Sequence, residues 1–384
     1  MKKRAIPIVL AVVLIFSISY AAYALKPATN IDLSRRASDA ASRICESIPE
    51  NEFGGIYHDG GTVYVNIVEN SYSKYKGTAA EQNGVKVVYN PVKFSLQELQ
   101  AATDSIFSRL NESEHHYDII KADANDVTNM IDIEIRPASD EVYEIAAEYI
   151  DLEYVNVTVL PDDYILEFTF ATEPPDTAVE NAPKTNETKG TLGKIYPGNV
   201  IRIGSNNVFC TAGPRQSSST FYTCGHAPKE YFNPSQNVYI NDPNRGYVSV
   251  GNTGSVIYGN LGDRSIVTVS GGKYTLPSKN GFMFGNSTYS YKEGRVGDEV
   301  EMHGGYSGIT KGKITAVNQE VTVGQTVVKN LYKASYTCKS GDSGAAVFSR
   351  NIVNSTGYCY GVQSIGESYN SSGQYFTVSY FSNV

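Results

Sequence analysis

The sequence predicts an α+β region followed by an all-β barrel or double barrel. Three observations lead there. From Lys194 onward Gly, Ser, Thr, Asn and Tyr dominate, and short alternating runs recur between glycine turns. The charge divides at the same place. Residues 25–190 hold 13 Lys+Arg against 30 Asp+Glu, a balance of −17, whereas residues 191–384 hold 16 against 10, a balance of +6. Between the halves, "ATEPPDTAVENAPKTNETKGTLG" has three prolines, five threonines and almost no large apolar side chain. That is the composition of an exposed, protease-sensitive linker.

The chain opens on a leader. Lys2, Lys3 and Arg4 precede an apolar run from Ala5 to Ile18, and "AYA" at Ala22 to Ala24 is a small-x-small cleavage site. The alternative is an uncleaved membrane anchor, since the run is near spanning length. Either way the remainder is exported, to a secreted or extracellular location. The expected divisions are a signal peptide at 1–24, an α+β region at 25–170, a linker at 171–194 and a β domain at 195–384.

In the first region, Ala37 to Ile48 has helical periodicity, and "GGIYHDGGTVYVNIV" reads as a hairpin turning at Gly60-Gly61. "VKVVYN" is a strand. Ser95 and Glu98 form a capping box that opens a helix to about Leu110. Met130 to Ile135 alternates as a strand, Glu141 to Tyr149 is helical, and Tyr154 to Leu160 is a strand again. Two helices over an antiparallel sheet is the economical arrangement. The second half carries roughly twelve strand-like runs, among them "NVIRIG", "STFYTC", "RSIVTV", "GAAVF" and "YCYGVQSI", and no convincing helix.

Export places the five cysteines in an oxidising setting. Cys45 stands alone in the first half. Cys210, Cys224, Cys338 and Cys359 allow three pairings, and the short-range set, Cys210–Cys224 with Cys338–Cys359, closes two local loops worth about 3 kcal/mol each. No CxxC or HExxH spacing supports a metal, and no cofactor is implied. Nucleic acid is an unsuitable partner, because the positive half has no Lys/Arg cluster.

The stretch "YTCKSGDSGAAVF" sets Ser343 between two glycines, after an aspartate and before an apolar run. A nucleophilic serine needs a base, the base an orienting acid, and the oxyanion backbone donors. The β half has two histidines. His226, in "FYTCGHA", is released where an alternating strand breaks at Gly225; His303, in "VEMHGGYSG", is the alternative base. Of the aspartates, Asp242 and Asp298 lie in turns and Asp342 adjoins the serine. Asp263 opens the strand "DRSIVTV", where a carboxylate can be buried to hold an imidazole. The order His226, Asp263, Ser343 is the one found on paired β-barrels. Gly341 permits close backbone approach, so its N–H and that of Ser343 can form an oxyanion hole.

With those residues in place, the second half resembles the chymotrypsin-like serine proteases, particularly the secreted bacterial branch of streptogrisins and alpha-lytic protease. "TCGHA", "GDRSIVTV" and "GDSGA" resemble the segments around that family's catalytic histidine, aspartate and serine. "GVQSIG" resembles the strand that pairs with substrate backbone, which implies substrate-binding roles for Ser364 and Gly366. The resemblance implies a double barrel with the triad in its cleft, polypeptide substrates, and a pocket walled near Thr337 to Ser340 and Ser364 to Gly366. No acid stands in those walls, so a preference for Lys or Arg is not indicated. Departures are Ala227 where a cysteine follows the histidine, Ala345 for the second glycine, and Cys359 ahead of the substrate strand.

The first half resembles, more weakly, the pro-regions of the same proteases, which assist folding and occupy the cleft until removed. "GKIYPGN" then looks like the activation junction, with a mature chain from Ile195, and the −17 region is expected to dock on the +6 domain as its inhibitor. A reading of another class is a secreted binding or adhesion module, a protease-like barrel without activity.

Overall fold

The structure is a computed structural model that describes residues 30–77, 84–112, 119–136, 139–175, 193–204, 207–230, 235–242, 244–270, 272, 274–277, 288–350, 356–368 and 375–384. The expected leader and most of the expected linker lie outside them. No helix among the described residues is long and apolar enough to cross a membrane.

The first region begins with α1 (Asn30–Cys45), followed by β1 (Phe53–Asp59), β2 (Thr62–Val68), α2 (Glu69–Tyr75) and β3 (Lys86–Val92). The Gly60-Gly61 turn forms as expected, with Asp59 opposite Thr62. Ala37, Ala40, Ala41 and Ile44 make one stripe of α1, and they bury against Ile56, Val63, Val65, Ile67 and Val87. Next come α3 (Leu96–Glu112), β4 (Ile119–Asn125), β5 (Met130–Ile135), α4 (Glu141–Ala147), β6 (Val155–Val159) and β7 (Ile165–Phe168). The capping box is made: Glu98 N–H donates to Ser95 Oγ at 3.2 Å and Ser95 N–H to Glu98 Oε2 at 2.8 Å.

The expected antiparallel sheet is corrected. There are two separate sheets, and β2–β3 and β5–β6 are parallel pairs. In each case a helix intervenes between the partners, which is the crossover a parallel pair requires. β4 was hidden in polar sequence: its Lys121 is buried, with Nζ 2.5 Å from Glu134 Oε1.

The second half folds into two barrels. Residues Gly193–Lys194 (β8) pair in parallel with Tyr274–Thr275 (β15). Between them run β9 (Val200–Ile203), β10 (Val208–Thr211), β11 (Thr220–Thr223), β12 (Asn237–Asp242), β13 (Gly246–Gly259) and β14 (Gly262–Val269). Their order is β10-β9-β12-β13-β14-β11. The ring closes where the chain leaving β10 meets β11: Gly213 N–H donates to Tyr222 O at 2.8 Å and Tyr222 N–H to Pro214 O at 2.9 Å. A short helix, α5 (His226–Glu230), corrects the expectation of a helix-free half.

The other barrel uses β16 (Thr288–Tyr291), β17 (Glu299–Gly304), β18 (Gly308–Val323), β19 (Thr326–Ala334), β20 (Ala346–Ser349), β21 (Thr356–Ser368) and β22 (Val378–Ser382). The order β17-β20-β21-β22-β19-β18 closes through a β17–β18 pairing, with β16 added alongside β21. The double barrel expected from sequence is therefore the observed fold, preceded by an α+β region.

The two halves are stitched together. β4 joins β18 through Glu320↔Ala122 and Val321↔Lys121, and β7 joins β21 through Ile365↔Phe168 to Ser368↔Ile165. Lysines of the basic half meet acids of the other: Lys292 lies 2.8 Å from Asp39, and Lys329 lies 3.8 Å from Asp104. His58 Nε2 and Asp298 Oδ1 are 2.8 Å apart and buried. The charge asymmetry is thus used locally, although half-exposed pairs of this kind contribute only about 0–1 kcal/mol each. The strand additions and the buried pair fix the docking.

Candidate active site

The cleft between the barrels gathers the residues expected from sequence. β11 ends at Thr223 and the chain turns through Gly225 into α5, which sets His226 at the barrel rim. A side chain at position 225 would strike Ile257 O, so the turn needs glycine. Asp263 stands at the start of β14. Its Oδ1 accepts the N–H groups of Gly225 at 2.8 Å and His226 at 2.6 Å, and its Oδ2 is 2.6 Å from His226 Nδ1. His226 Nε2 lies 3.0 Å from Ser343 Oγ.

Ser343 follows β19 on a tight loop. Gly341 and Gly344 both have left-handed backbones, φ +100° and +88°, and a Cβ on Gly341 would collide with the Tyr306 ring. Asp342 builds the loop rather than the relay. Its carboxylate accepts N–H groups from Tyr306 at 2.9 Å, Ser307 at 3.2 Å and Lys339 at 2.8 Å, plus the Ser307 hydroxyl at 2.5 Å. His303, the alternative base, is turned elsewhere, with Nε2 3.1 Å from Glu301 Oε1.

Ser364 sits at a β-bulge of β21, where the register with β22 shifts between Gln363 and Ile365. The bulge re-aims both its groups. Its hydroxyl donates to Asp263 Oδ2, and its carbonyl turns into the cleft.

Electrostatics follow from burial. His226, Asp263 and Ser343 are each 0% exposed. Burial alone would press the imidazolium down, but the Asp263 carboxylate beside it outweighs that and raises the histidine. Burial likewise opposes ionisation of Asp263, yet the charge and hydrogen bonds of His226 and the Ser364 hydroxyl hold the carboxyl low.

Sequence reasoning expected the first half to occupy this cleft but did not identify the segment that fills it. The strand β7 and the residues after it lie across Ser343. β7 pairs antiparallel with β21, Glu167 opposite Gly366. Thr169 N–H then donates to Ser364 O at 3.1 Å. Thr169 O accepts from both Gly341 N–H and Ser343 N–H, the latter at 3.1 Å. Beyond it, Ala171 and Phe209 exchange backbone bonds of 2.9 and 2.8 Å. Phe168 stacks on His226 at 4.4 Å between ring centres, and Phe170 lies on it at 5.8 Å. The signal was present in "YILEFTFA", where Leu166, Phe168 and Phe170 alternate with Glu167 and Thr169.

The cysteine pairs are not bonded. None of the five cysteines forms a disulfide bond, and the Cys210 and Cys224 sulfurs lie 3.6 Å apart, longer than a disulfide bond of about 2.05 Å. Cys338 and Cys359 belong to different apolar clusters, and Cys338 Sγ instead accepts Gln363 Nε2 at 3.4 Å. Cys45 is half-buried.

No family model matches the chain, and no curated protein does. Solved structures do. The Cellulomonas bogoriensis chymotrypsin is 22% identical, with a TM-score of 0.38, covering 50% of this chain and 92% of its own. The Nocardiopsis protease NAPase is 23% identical at 0.38, covering 50% and 92%. Alpha-lytic protease homolog N4 is 19% identical at 0.38, covering 50% and 93%. The chain is similar to these bacterial chymotrypsin-like proteases over about half its length, and its two-barrel topology is read from its own strand pairing.

Proposed function

We propose that this chain is a chymotrypsin-like serine endopeptidase, exported and made as a zymogen. The observation that carries the reading is the continuous path Asp263–His226–Ser343, with hydrogen-bond distances of 2.6 and 3.0 Å, beside two N–H donors that converge on one carbonyl. Ser343 Oγ attacks the peptide carbon while His226 Nε2 takes its proton. Asp263, which accepts from Nδ1, keeps the imidazole in the tautomer that can do so and stabilises its cation. The N–H groups of Gly341 and Ser343 stabilise the oxyanion. His226 returns the proton to the leaving amine, and water then hydrolyses the acyl-enzyme.

Residues 25–170 act as the pro-region and 195–384 as the protease core, with the β7 segment as intramolecular inhibitor. Ser364 and Gly366 bind the substrate backbone, as Ser364 O binds the Thr169 N–H and Gly366 pairs with Glu167 of β7. Polypeptides are the substrates. The leader at 1–24 directs secretion. A barrel serving only as a binding module has no need of an aligned Asp–His–Ser path, so that reading is disfavoured.

The test is hydrolysis of an unfolded protein such as reduced casein by the purified chain and by Ser343→Ala. Activity in the first and none in the second is expected. Equal activity in both would remove Ser343 from the chemistry.

A further inference from the structure

We propose that the first bond this site cuts is its own: the Thr169–Phe170 peptide bond, cleaved within the same chain. This rests on the protease reading above and deepens it. It also moves the first cut well upstream of the Ile195 junction expected from sequence.

The segment engages Ser343 from both sides. Upstream, Ile165 to Phe168 extend β21, and Thr169 N–H reaches Ser364 O at 3.1 Å. Downstream, Ala171 pairs in both directions with Phe209. An inhibitor bound like a cleaved product would stop at the residue in the oxyanion pocket. Here the chain continues through the pocket as an uncut substrate does. The carbonyl held by Gly341 and Ser343 is that of Thr169, so the bond presented to Ser343 Oγ is the one that follows it.

Ile195 is placed differently. It belongs to the core of the first barrel, it is 1% exposed, and its N–H donates to Thr275 O at 2.9 Å. That junction is tied into β8 and its neighbour, while the cleft is already filled by Thr169.

Burial gives the order of events. With Ser343, His226 and Asp263 all 0% exposed, no other polypeptide can reach them while β7 is seated. The intact chain is closed to foreign substrates, and its first turnover falls on the residues that close it. In that step Ser343 Oγ bonds to the Thr169 carbonyl carbon and the Thr169–Phe170 C–N bond breaks. The serine proton passes through His226 to the Phe170 nitrogen. Phe170 then leaves the His226 face, water enters there, and its addition releases Thr169 as a carboxylate and restores Ser343.

The same contacts define a substrate class in other chains. The residue before the cut is small and hydroxylic, and aromatic residues flank it on both sides, since Phe168 stacks on the imidazole and Phe170 lies beside it.

The full chain and its Ser343→Ala variant would be produced in parallel, sampled over time, and read by intact mass and N-terminal sequencing. The expected result is an early fragment ending at Thr169 and another beginning at Phe170, absent from Ser343→Ala. The rate should be unchanged by tenfold dilution, as an intramolecular step requires. The processed chain should also cut a synthetic peptide spanning Leu166 to Glu173 after its threonine. Ser343-dependent fragments starting at Ile195 or elsewhere, with the 169–170 bond intact, would overturn this proposal and leave the protease reading standing. No Ser343-dependent fragment, together with no hydrolysis of casein, would overturn both.

Discussion

The carbonyl oxygen of Thr169 accepts the backbone N–H of Ser343 at 3.1 Å, and the hydroxyls of the same two residues lie 3.0 Å apart across 174 positions of sequence. A residue of the acidic first half therefore sits where a scissile carbonyl would sit.

Asp263→Asn should lower peptide hydrolysis by about 10⁴-fold while leaving the fold intact, because an amide at that position favours the wrong imidazole tautomer. Ser364→Ala should cost far less, about tenfold, because Asp263 keeps the N–H bonds from Gly225 and His226. Steady-state rates of the two processed variants check this. Equal losses would contradict the assigned roles.

The first cut should accelerate with pH. His226 must be neutral to take the Ser343 proton, and Asp263 raises its value against the opposing effect of burial. The rising limb should therefore lie above the ordinary imidazole range near 6.5. Removing the carboxylate in Asp263→Asn should shift that limb downward. Processing rates measured by mass at stepped pH decide the direction.

Acid should loosen the seated first half. His58 and the surrounding hydrogen bonds hold the Asp298 carboxyl low despite burial. A lowered folded value stabilises docking above the unfolded value, and that contribution is lost as pH falls through the folded one. In the uncut Ser343→Ala chain, Asp298→Asn should lower the thermal midpoint near neutrality and flatten its loss in acid. An unchanged midpoint near neutrality would mean the His58–Asp298 pair does not secure the docking.

Phe376 should restrict the specificity pocket. Its backbone pairs with Cys338 at 3.1 and 2.9 Å, and its fully buried ring lies against Gly366, where any side chain would strike it. Phe376→Ala should shift preference before the cut from small residues to large apolar ones. A peptide library with that position varied gives the readout, and an unchanged preference would place the pocket elsewhere.

The parts of the fold written in local pattern were legible. Alternation between glycine turns marked the barrel strands, and Ser95 with Glu98 marked α3. The meeting of His226, Asp263 and Ser343 was legible because His226 follows the end of β11, Asp263 stands at the start of β14 and Ser343 sits between two glycines. Pairing partners were not legible. Whether β3 runs parallel or antiparallel to β2 depends on the α2 crossover, not on the strand's own residues. β4 was obscured because Lys121 and Asp123 are polar residues buried in the fold, where Lys121 pairs with Glu134. Thr169 was missed for a related reason: its place depends on distant donors, Gly341 and Ser343, and its own neighbours read only as the end of the α+β region ahead of the linker.

The proposed function makes Ser343 an activated nucleophile, sealed until the β7 segment departs. A fluorophosphonate probe applied to processed chain and to uncut chain, followed by peptide mass mapping, tests it most directly. The expected result is a covalent adduct on Ser343 in the processed chain, little on the chain still closed by Thr169, and none in Ser343→Ala. A processed, folded chain that carries no adduct on Ser343 would contradict it.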